Sequence, residues 1–327
     1  MRCILDDDRG KSSMKRRLIA RKLVIISAVS VFASLAAALP QEVPPGYTIH
    51  SDVRLVLLDV AVTEHDGGLV AGLKKEDFEV TENGLRQPIT VFANNDIPVT
   101  AGILVDESLS MAPKRAEVLA AAETLIAKSN PSDEIFVLNF NERVTRGLPD
   151  GVLFSDDIGQ LRSALRRGMP EGRTALNDAI IVGLQQLNLG RRDKKTLILI
   201  SDGGDNASHA KRGEMLERVE RSLATIYTIG LSSPGEPDRD PGLLKELART
   251  SGGEAYFPTD LSNLAIICRS IAKQIRSRYT IGYAPQAGRF GALRHIRVYV
   301  SASGHSRLIA RTRTSYRYEP LESQNSN

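Results

Sequence analysis

The stretch from Ile103 to Met111 constrains this chain more than any other part of its sequence. An apolar run ends at Asp106, and hydroxyl side chains follow at Ser108 and Ser110. A buried strand that stops in this way presents only oxygen ligands, which suit Mg²⁺, Mn²⁺ or Ca²⁺ rather than zinc or copper. One carboxylate and two hydroxyls do not complete six-coordination, so this interpretation requires oxygens from other parts of the chain.

Residues 96–278 alternate between short apolar runs and segments in which apolar residues recur at helical spacing. The alternation predicts an α/β domain with a doubly wound, mostly parallel sheet and helices on both faces. The predicted strands cover residues 98–106, 135–140, 195–201, 224–231 and 254–257, and the predicted helices cover residues 113–126, 155–167, 175–189, 209–222, 242–251 and 261–278.

The segments on either side of this domain, residues 47–95 and 279–318, have the pattern of β-strands without helices. We expect them to pair in one smaller β-sandwich-like module built from the N- and C-terminal strands, with the α/β domain as an insertion. Asn83-Gly84 is typical of a two-residue hairpin turn. Residues 319–327 are polar and are expected to be disordered. The predicted strands are Val53–Val62, Phe78–Val80, Pro88–Phe92, Tyr279–Tyr283, Arg294–Val300 and Arg307–Thr314.

Residues 1–39 have the features of an export signal. Basic residues around Lys15-Arg16-Arg17 precede an apolar run from Leu23 to Leu39, and Ala36-Ala37-Ala38 offers a cleavage site. A cleaved signal peptide, followed by a linker at residues 40–46, predicts a periplasmic, cell-surface or extracellular protein. The alternative is a retained membrane anchor, for which this run is short.

Charge and cysteine content argue against several functions. Residues 1–39 hold eight of the 43 Lys and Arg residues and three of the 39 Asp and Glu residues. The remainder is nearly neutral, so the basic pI does not indicate nucleic-acid binding. Cys268 lies in an apolar stretch and is expected to be a buried thiol without a disulfide partner. The Arg311, Arg313 and Arg317 side chains are expected to share a solvent-exposed strand face, and the alternative is a contact surface for an acidic or lipid partner.

Two further loops carry oxygens toward the edge of the predicted sheet. Thr174 ends a loop just before a predicted helix, and Asp202 directly follows the strand at 195–201. Gly203 and Gly204 allow a tight backbone path after that strand. Because ligands collect outside the carboxyl ends of strands in open α/β sheets, these loops are expected to meet the one that begins at Asp106.

In this order, Asp-x-Ser-x-Ser at 106–110, Gly-Arg-Thr-Ala-Leu at 172–176 and Ser-Asp-Gly-Gly-Asp at 201–205 resemble the metal-ion-dependent adhesion site of von Willebrand factor type A domains. The resemblance implies a divalent cation, Mg²⁺ or else Mn²⁺ or Ca²⁺, with an open position for an Asp or Glu carboxylate of a protein partner. It implies that the hydroxyls bind the cation directly and the carboxylates directly or through water. The implied ligands are Asp106, Ser108, Ser110, Thr174 and Asp202.

The resemblance extends over about residues 50–318. Segments at 72–80, 174–179, 226–230 and 279–283 are similar to the VWFA-related domain of secreted proteins common in Acidobacteria. Glu107 departs from the small or hydroxyl residue often found at its position, and it either stays solvated or shields the site. Asp205 is a weaker candidate for a supporting contact.

These features lead to three functional hypotheses. The first is a secreted or periplasmic binding protein, not an enzyme, that docks an acidic group through the cation in adhesion or complex assembly. The second is a metal-independent assembly module that acts through the terminal β-strands, which would keep its partner after chelation. The third is a metal-assisted hydrolase, for which Glu107 or Asp205 would have to activate water. No Walker loop, G-x-S-x-G elbow or zinc-type His and Cys spacing is present in the sequence.

Overall fold

The computed structural model describes residues 55–231 and 239–319. Its strands are β1 (Val56–Glu64), β2 (Phe78–Glu82), β3 (Leu85–Gln87), β4 (Val91–Ala93), β5 (Val99–Asp106), β6 (Glu134–Phe140), β7 (Val144–Arg146), β8 (Lys194–Ser201), β9 (Thr225–Gly230), β10 (Ala255–Tyr256), β11 (Tyr279–Tyr283), β12 (Leu293–Val300), β13 (Leu308–Arg311) and β14 (Ser315–Arg317). Its α-helices are α1 (Arg115–Ala127), α2 (Ile158–Arg166), α3 (Leu176–Asn188), α4 (Arg212–Arg221), α5 (Pro241–Ser251) and α6 (Leu264–Arg276), and short 3-10 helices cover Lys75–Asp77, Leu109–Lys114 and Leu261–Asn263.

The predicted signal segment, the predicted linker and residues 320–327 of the predicted disordered tail lie outside the described residues. Within the described ranges, no helix combines the length and apolar character needed to cross a bilayer.

The central sheet has six strands in the order β10-β9-β8-β5-β6-β7. Its neighbours are parallel except at the edge, where β7 runs antiparallel to β6. Every residue of β5 and β6 is buried, because apolar residues of the flanking helices pack against both strands in one core. Cys268 of α6 is fully buried in this core, as predicted. The predicted fold class, a mostly parallel sheet flanked by helices, is confirmed.

The remaining strands form two antiparallel sheets of four strands each, β13-β1-β11-β4 and β14-β12-β2-β3. Both sheets combine strands from the two ends of the chain, which alternate in the first sheet and meet at the β12–β2 pair in the second. A second apolar core that includes Leu58, Phe78 and Tyr279 lies with them. These are the additional β-sheets that the sequence predicts. The domain borders proposed at residues 95/96 and 278/279 stay predictions.

The third predicted strand, Pro88–Phe92, is wrong in position and in partner. Asn83 and Gly84 have φ values of 50° and 83°, so the chain reverses at once and Leu85–Gln87 forms the return strand of the hairpin. Pro88 has no N–H to donate and ends that ladder. The chain then crosses to the other sheet, where Val91–Ala93 pairs with β11.

The expected solvent-exposed arginine face is also wrong. The predicted strand 307–314 is interrupted, since β13 ends at Arg311 and β14 starts at Ser315, and this break removes the alternation between the arginines. Arg313 is buried and donates to the carbonyl of Ser222, the residue that caps α4 at its C-terminus. Burial lowers the pKa of Arg313 to about 10. A guanidinium at a helix C-terminus interacts favourably with the helix dipole.

Candidate metal centre

Two adjacent parallel strands bring two carboxylates to one edge of the central sheet. Asp106 is the last residue of β5, and Asp202 directly follows β8. Val105 pairs with Ile200, so the two strands end at the same level. Because parallel strands carry their carboxyl ends to the same edge, the pairing of β5 with β8 places both side chains at one rim.

Asp106 is buried at this rim, and both of its oxygens accept hydrogen bonds. The Ser108 N–H donates to Oδ1 at 2.9 Å, and the Ser201 hydroxyl donates to Oδ2 at 2.6 Å. Burial raises the pKa of Asp106 from 3.8 to about 6, while the hydrogen bonds lower it and repulsion from Asp202 raises it further. A cation at this position would stabilise the charged form of the carboxyl group.

The hydroxyls of Ser108 and Ser110 continue the oxygen cluster from Asp106 to Asp202. Their Oγ atoms lie 3.1 Å apart, and Ser110 Oγ donates to Asp202 Oδ2 at 2.6 Å. The Gly204 N–H donates to Asp202 Oδ1 at 3.0 Å and fixes that carboxylate. Four of the five residues named from the sequence are therefore linked by hydrogen bonds at one point.

Thr174 is buried in the loop before α3, and backbone contacts join this loop to the other two. Its N–H donates to Asn206 Oδ1 at 2.9 Å, and its carbonyl accepts from the Asn206 N–H at 3.0 Å. The Leu109 N–H donates to the Gly172 carbonyl at 3.2 Å. Among the described residues, the Thr174 hydroxyl itself shares no hydrogen bond with the four linked side chains.

The donor set fits a hard divalent cation. It consists of two carboxylates and three hydroxyls, without nitrogen or sulfur. Neighbouring oxygens around an octahedral Mg²⁺ lie about 2.9 Å apart, and the 3.1 Å and 2.6 Å separations in the cluster lie on either side of this spacing. Within residues 55–231 and 239–319, no three His, Cys, Asp or Glu side chains gather as a metal cluster. The candidate site therefore differs from a cluster of three such side chains, because three of its five donors are hydroxyls.

Two supporting residues, Ser201 and Asn206, were not predicted from the sequence. Ser201 binds Asp106, and Asn206 binds the backbone of Thr174. The contact of Ser201 could have been predicted from the sequence, because a hydroxyl at the end of β8 lies beside the end of β5 in a parallel register. The position of Asn206 depends on the path of a loop, for which the sequence carries no comparable signal.

The structure also places the two carboxylates whose roles were open. Glu107 is not solvated: its side chain is 2% exposed, and Arg115 Nε donates to its Oε2 at 3.0 Å. Asp205 accepts from the Leu176 N–H at 3.0 Å and from the Asn177 side-chain amide. It therefore fixes the start of α3 and does not join the oxygen cluster.

Residues 102–204, which contain all five proposed ligands, match the family model of the von Willebrand factor type A domain. The chain therefore contains a von Willebrand factor type A domain. Domains of this family are generally interaction modules without catalytic activity. No curated protein matches the sequence.

Several solved structures are similar to this chain. A von Willebrand factor type A protein from Catenulispora acidiphila shares 15% identity at a TM-score of 0.49, over 82% of this chain and 74% of that one. Proximal thread matrix protein 1 from the mussel byssus, with zinc in its adhesion motif, shares 14% identity at a TM-score of 0.46, over 55% of this chain and 48% of that one. An aerotolerance-related membrane protein from Bacteroides fragilis shares 14% identity at a TM-score of 0.44, over 54% of this chain and 98% of that one.

Proposed function

We propose that this protein is an exported binding protein that holds one divalent cation at the candidate site and docks an acidic group of a protein partner. Binding would serve adhesion or the assembly of a complex. The observation that carries this proposal is that Asp106, Ser108, Ser110 and Asp202 are linked at the carboxyl edge of the sheet, by the Ser108 N–H and by the two serine hydroxyls. Thr174 would complete the set from the adjoining loop.

The charges of this donor set support the docking of an acid. Asp106 and Asp202 together balance a divalent cation, and the neutral hydroxyls leave it electrophilic. Mg²⁺ prefers six oxygen ligands and keeps waters readily. A partner carboxylate would replace one such water, and its negative charge would be attracted by the cation. Mg²⁺ is the proposed ion, with Mn²⁺ and Ca²⁺ as alternatives of the same chemistry.

The loops around the site offer apolar contacts as well. Leu109, between two of the proposed ligands, is 66% exposed, and Met169, in the loop that leads to Thr174, is 73% exposed. Burying one such side chain in an interface contributes about 1.5–3 kcal/mol. The proposed partner surface therefore combines a carboxylate with apolar groups at its sides.

The hydrolase hypothesis receives less support from the same contacts. Its two candidate bases are engaged elsewhere, since Glu107 pairs with Arg115 and Asp205 binds the start of α3. A general base must reach the water that it activates. Docking of an acid needs no such base.

Calorimetric titration of the purified protein with Mg²⁺, Mn²⁺, Ca²⁺ and Zn²⁺ tests the proposal. We expect saturable one-site binding by the hard cations and its loss in Asp106→Ala and Asp202→Ala. Asp150→Ala, at an exposed carboxylate away from the cluster, is the control and should bind as the parent does. The proposal fails if the parent binds no cation, or if both site variants are folded and bind with unchanged affinity.

A further inference from the structure

Glu107 lies between two proposed ligands, yet its side chain points away from them, beneath the loop that leads to Thr174. Its side chain is 2% exposed. A Cβ built on Gly168 would lie 2.6 Å from both Cγ and Cδ of Glu107, and closer still to Oε1. No alanine fits at residue 168 while Glu107 keeps this position, because real Cβ atoms do not approach other atoms so closely.

Arg115, the first residue of α1, holds this arrangement from the other side. Its Nε donates to Glu107 Oε2 at 3.0 Å, and its Nη2 donates to the carbonyls of Gly168 at 2.5 Å and Arg166 at 3.3 Å. The guanidinium neutralises the carboxylate and also binds the loop backbone. Because Arg115 offsets its charge, Glu107 affects this region mainly through its contacts.

The backbone of Glu107 makes two further contacts, one with the loop at 168–174 and one with the end of β6. Its carbonyl accepts from the Glu171 N–H at 2.9 Å, and its N–H donates to the Phe140 carbonyl at 2.7 Å. Residues 168–174 are thus joined to the 106–110 loop by both the side chain and the main chain of one residue. This is the loop that carries Thr174, the proposed ligand whose hydroxyl makes no hydrogen bond to the other four within the described part of the chain.

We infer that Glu107 is a positioning residue of the metal centre: clamped by Arg115 under Gly168, it holds the Thr174 loop against the loop of Asp106, Ser108 and Ser110. The inference rests on the proposed metal site. A ligand loop that is already in place loses less conformational freedom when the cation binds, and groups that orient metal ligands typically change affinity by about 10- to 100-fold when removed.

Mn²⁺ titration of the parent, Glu107→Ala, Glu107→Gln and Glu217→Ala tests the inference. We expect Glu107→Ala to weaken Mn²⁺ binding about tenfold or more. Glu107→Gln keeps the shape and can still accept from Arg115, so its affinity should stay within about threefold of the parent. Glu217 pairs with Arg221 at 3.0 Å within α4, outside the three loops of the site, and Glu217→Ala is the matched control with unchanged affinity.

The outcomes separate the inference from the proposed function. If the parent binds no Mn²⁺, the proposed metal site is itself wrong. If the parent binds Mn²⁺ and a folded Glu107→Ala binds it equally well, only the positioning role of Glu107 is wrong. Equal losses in Glu107→Ala and Glu107→Gln would assign the effect to charge and overturn the inference. If Glu107→Ala does not fold, Arg115→Met, which changes a side chain that is 26% exposed, must show the same loss of affinity or the inference is wrong.

Discussion

At the scale of single residues, the carboxyl group of Asp106 is subject to two opposing demands. Burial favours its protonated form and raises its pKa to about 6, whereas a bound cation requires the carboxylate. In the cation-free protein this group contributes stability below its ordinary pKa of 3.8, and the contribution is lost as pH rises through 6. Proton and cation therefore compete for Asp106.

This competition predicts a pH dependence of metal binding. Between pH 7.5 and pH 5, Mn²⁺ affinity should fall about tenfold, since about a tenth of the Asp106 carboxyls remain ionised one unit below a pKa near 6. Calorimetry at both pH values, in two buffers of different ionisation enthalpy, would measure the affinity and the protons released. An affinity that changes less than twofold over this range would contradict the role given to Asp106.

Single residues also mark what the sequence could and could not predict at the site. Asp106 and Asp202 were readable because each ends an apolar run, and parallel strand ends share one edge. The burial of Glu107 was not readable, because it depends on Arg115 and on the absence of a Cβ at Gly168, 61 residues along the chain. Arg313 was misplaced because a period-two pattern was extended across a break between two strands.

At the scale of elements, the β2–β3 hairpin depends on a turn that only certain residues adopt without strain. Asn83 and Gly84 both have positive φ, at 50° and 83°. Local turn chemistry predicted this reversal correctly. The partner of the next strand was not predictable in this way, because Val91–Ala93 pairs with β11, about 190 residues later, and the hydrophobic pattern of β4 does not distinguish between two sheets.

Alanine substitutions at two glycines test this account of the turn. Gly84→Ala should reduce the free energy of unfolding by about 1 kcal/mol, because residues with a Cβ are strained at that φ. Gly213 of α4 has no positive φ, and open space surrounds the position that a Cβ would occupy there, so Gly213→Ala should be neutral or add up to about 1 kcal/mol. Urea unfolding of both variants measures the two effects, and equal changes in both would refute the turn argument.

At the scale of the whole molecule, the two antiparallel sheets depend on both ends of the chain. Glu82 of β2 is buried and accepts from Tyr283 and Tyr316 hydroxyls at 2.7 Å each and from Arg294 Nη1 at 2.5 Å. The guanidinium of Arg294 also stacks on the Tyr318 ring at 3.9 Å. One N-terminal carboxylate therefore satisfies three polar groups from C-terminal strands, across about 200 residues of intervening sequence.

Removal of this carboxylate provides a test of that dependence. Glu82→Ala leaves the buried Arg294 cation and two tyrosine hydroxyls without their acceptor, and breaking a buried ion pair on one side costs about 3–5 kcal/mol. Tyr316→Phe removes one donor only and should cost about 1 kcal/mol. Denaturant unfolding, with Mn²⁺ titration of the protein that is still folded, tests whether the two cores unfold together. If the terminal sheets and the central sheet fold as one cooperative unit, Glu82→Ala shifts a single unfolding transition. At denaturant concentrations below that transition, the variant should bind Mn²⁺ with the affinity of the parent. Two separate transitions, with only the first moved by Glu82→Ala, would instead show that the central sheet is stable without the strands contributed by the chain ends.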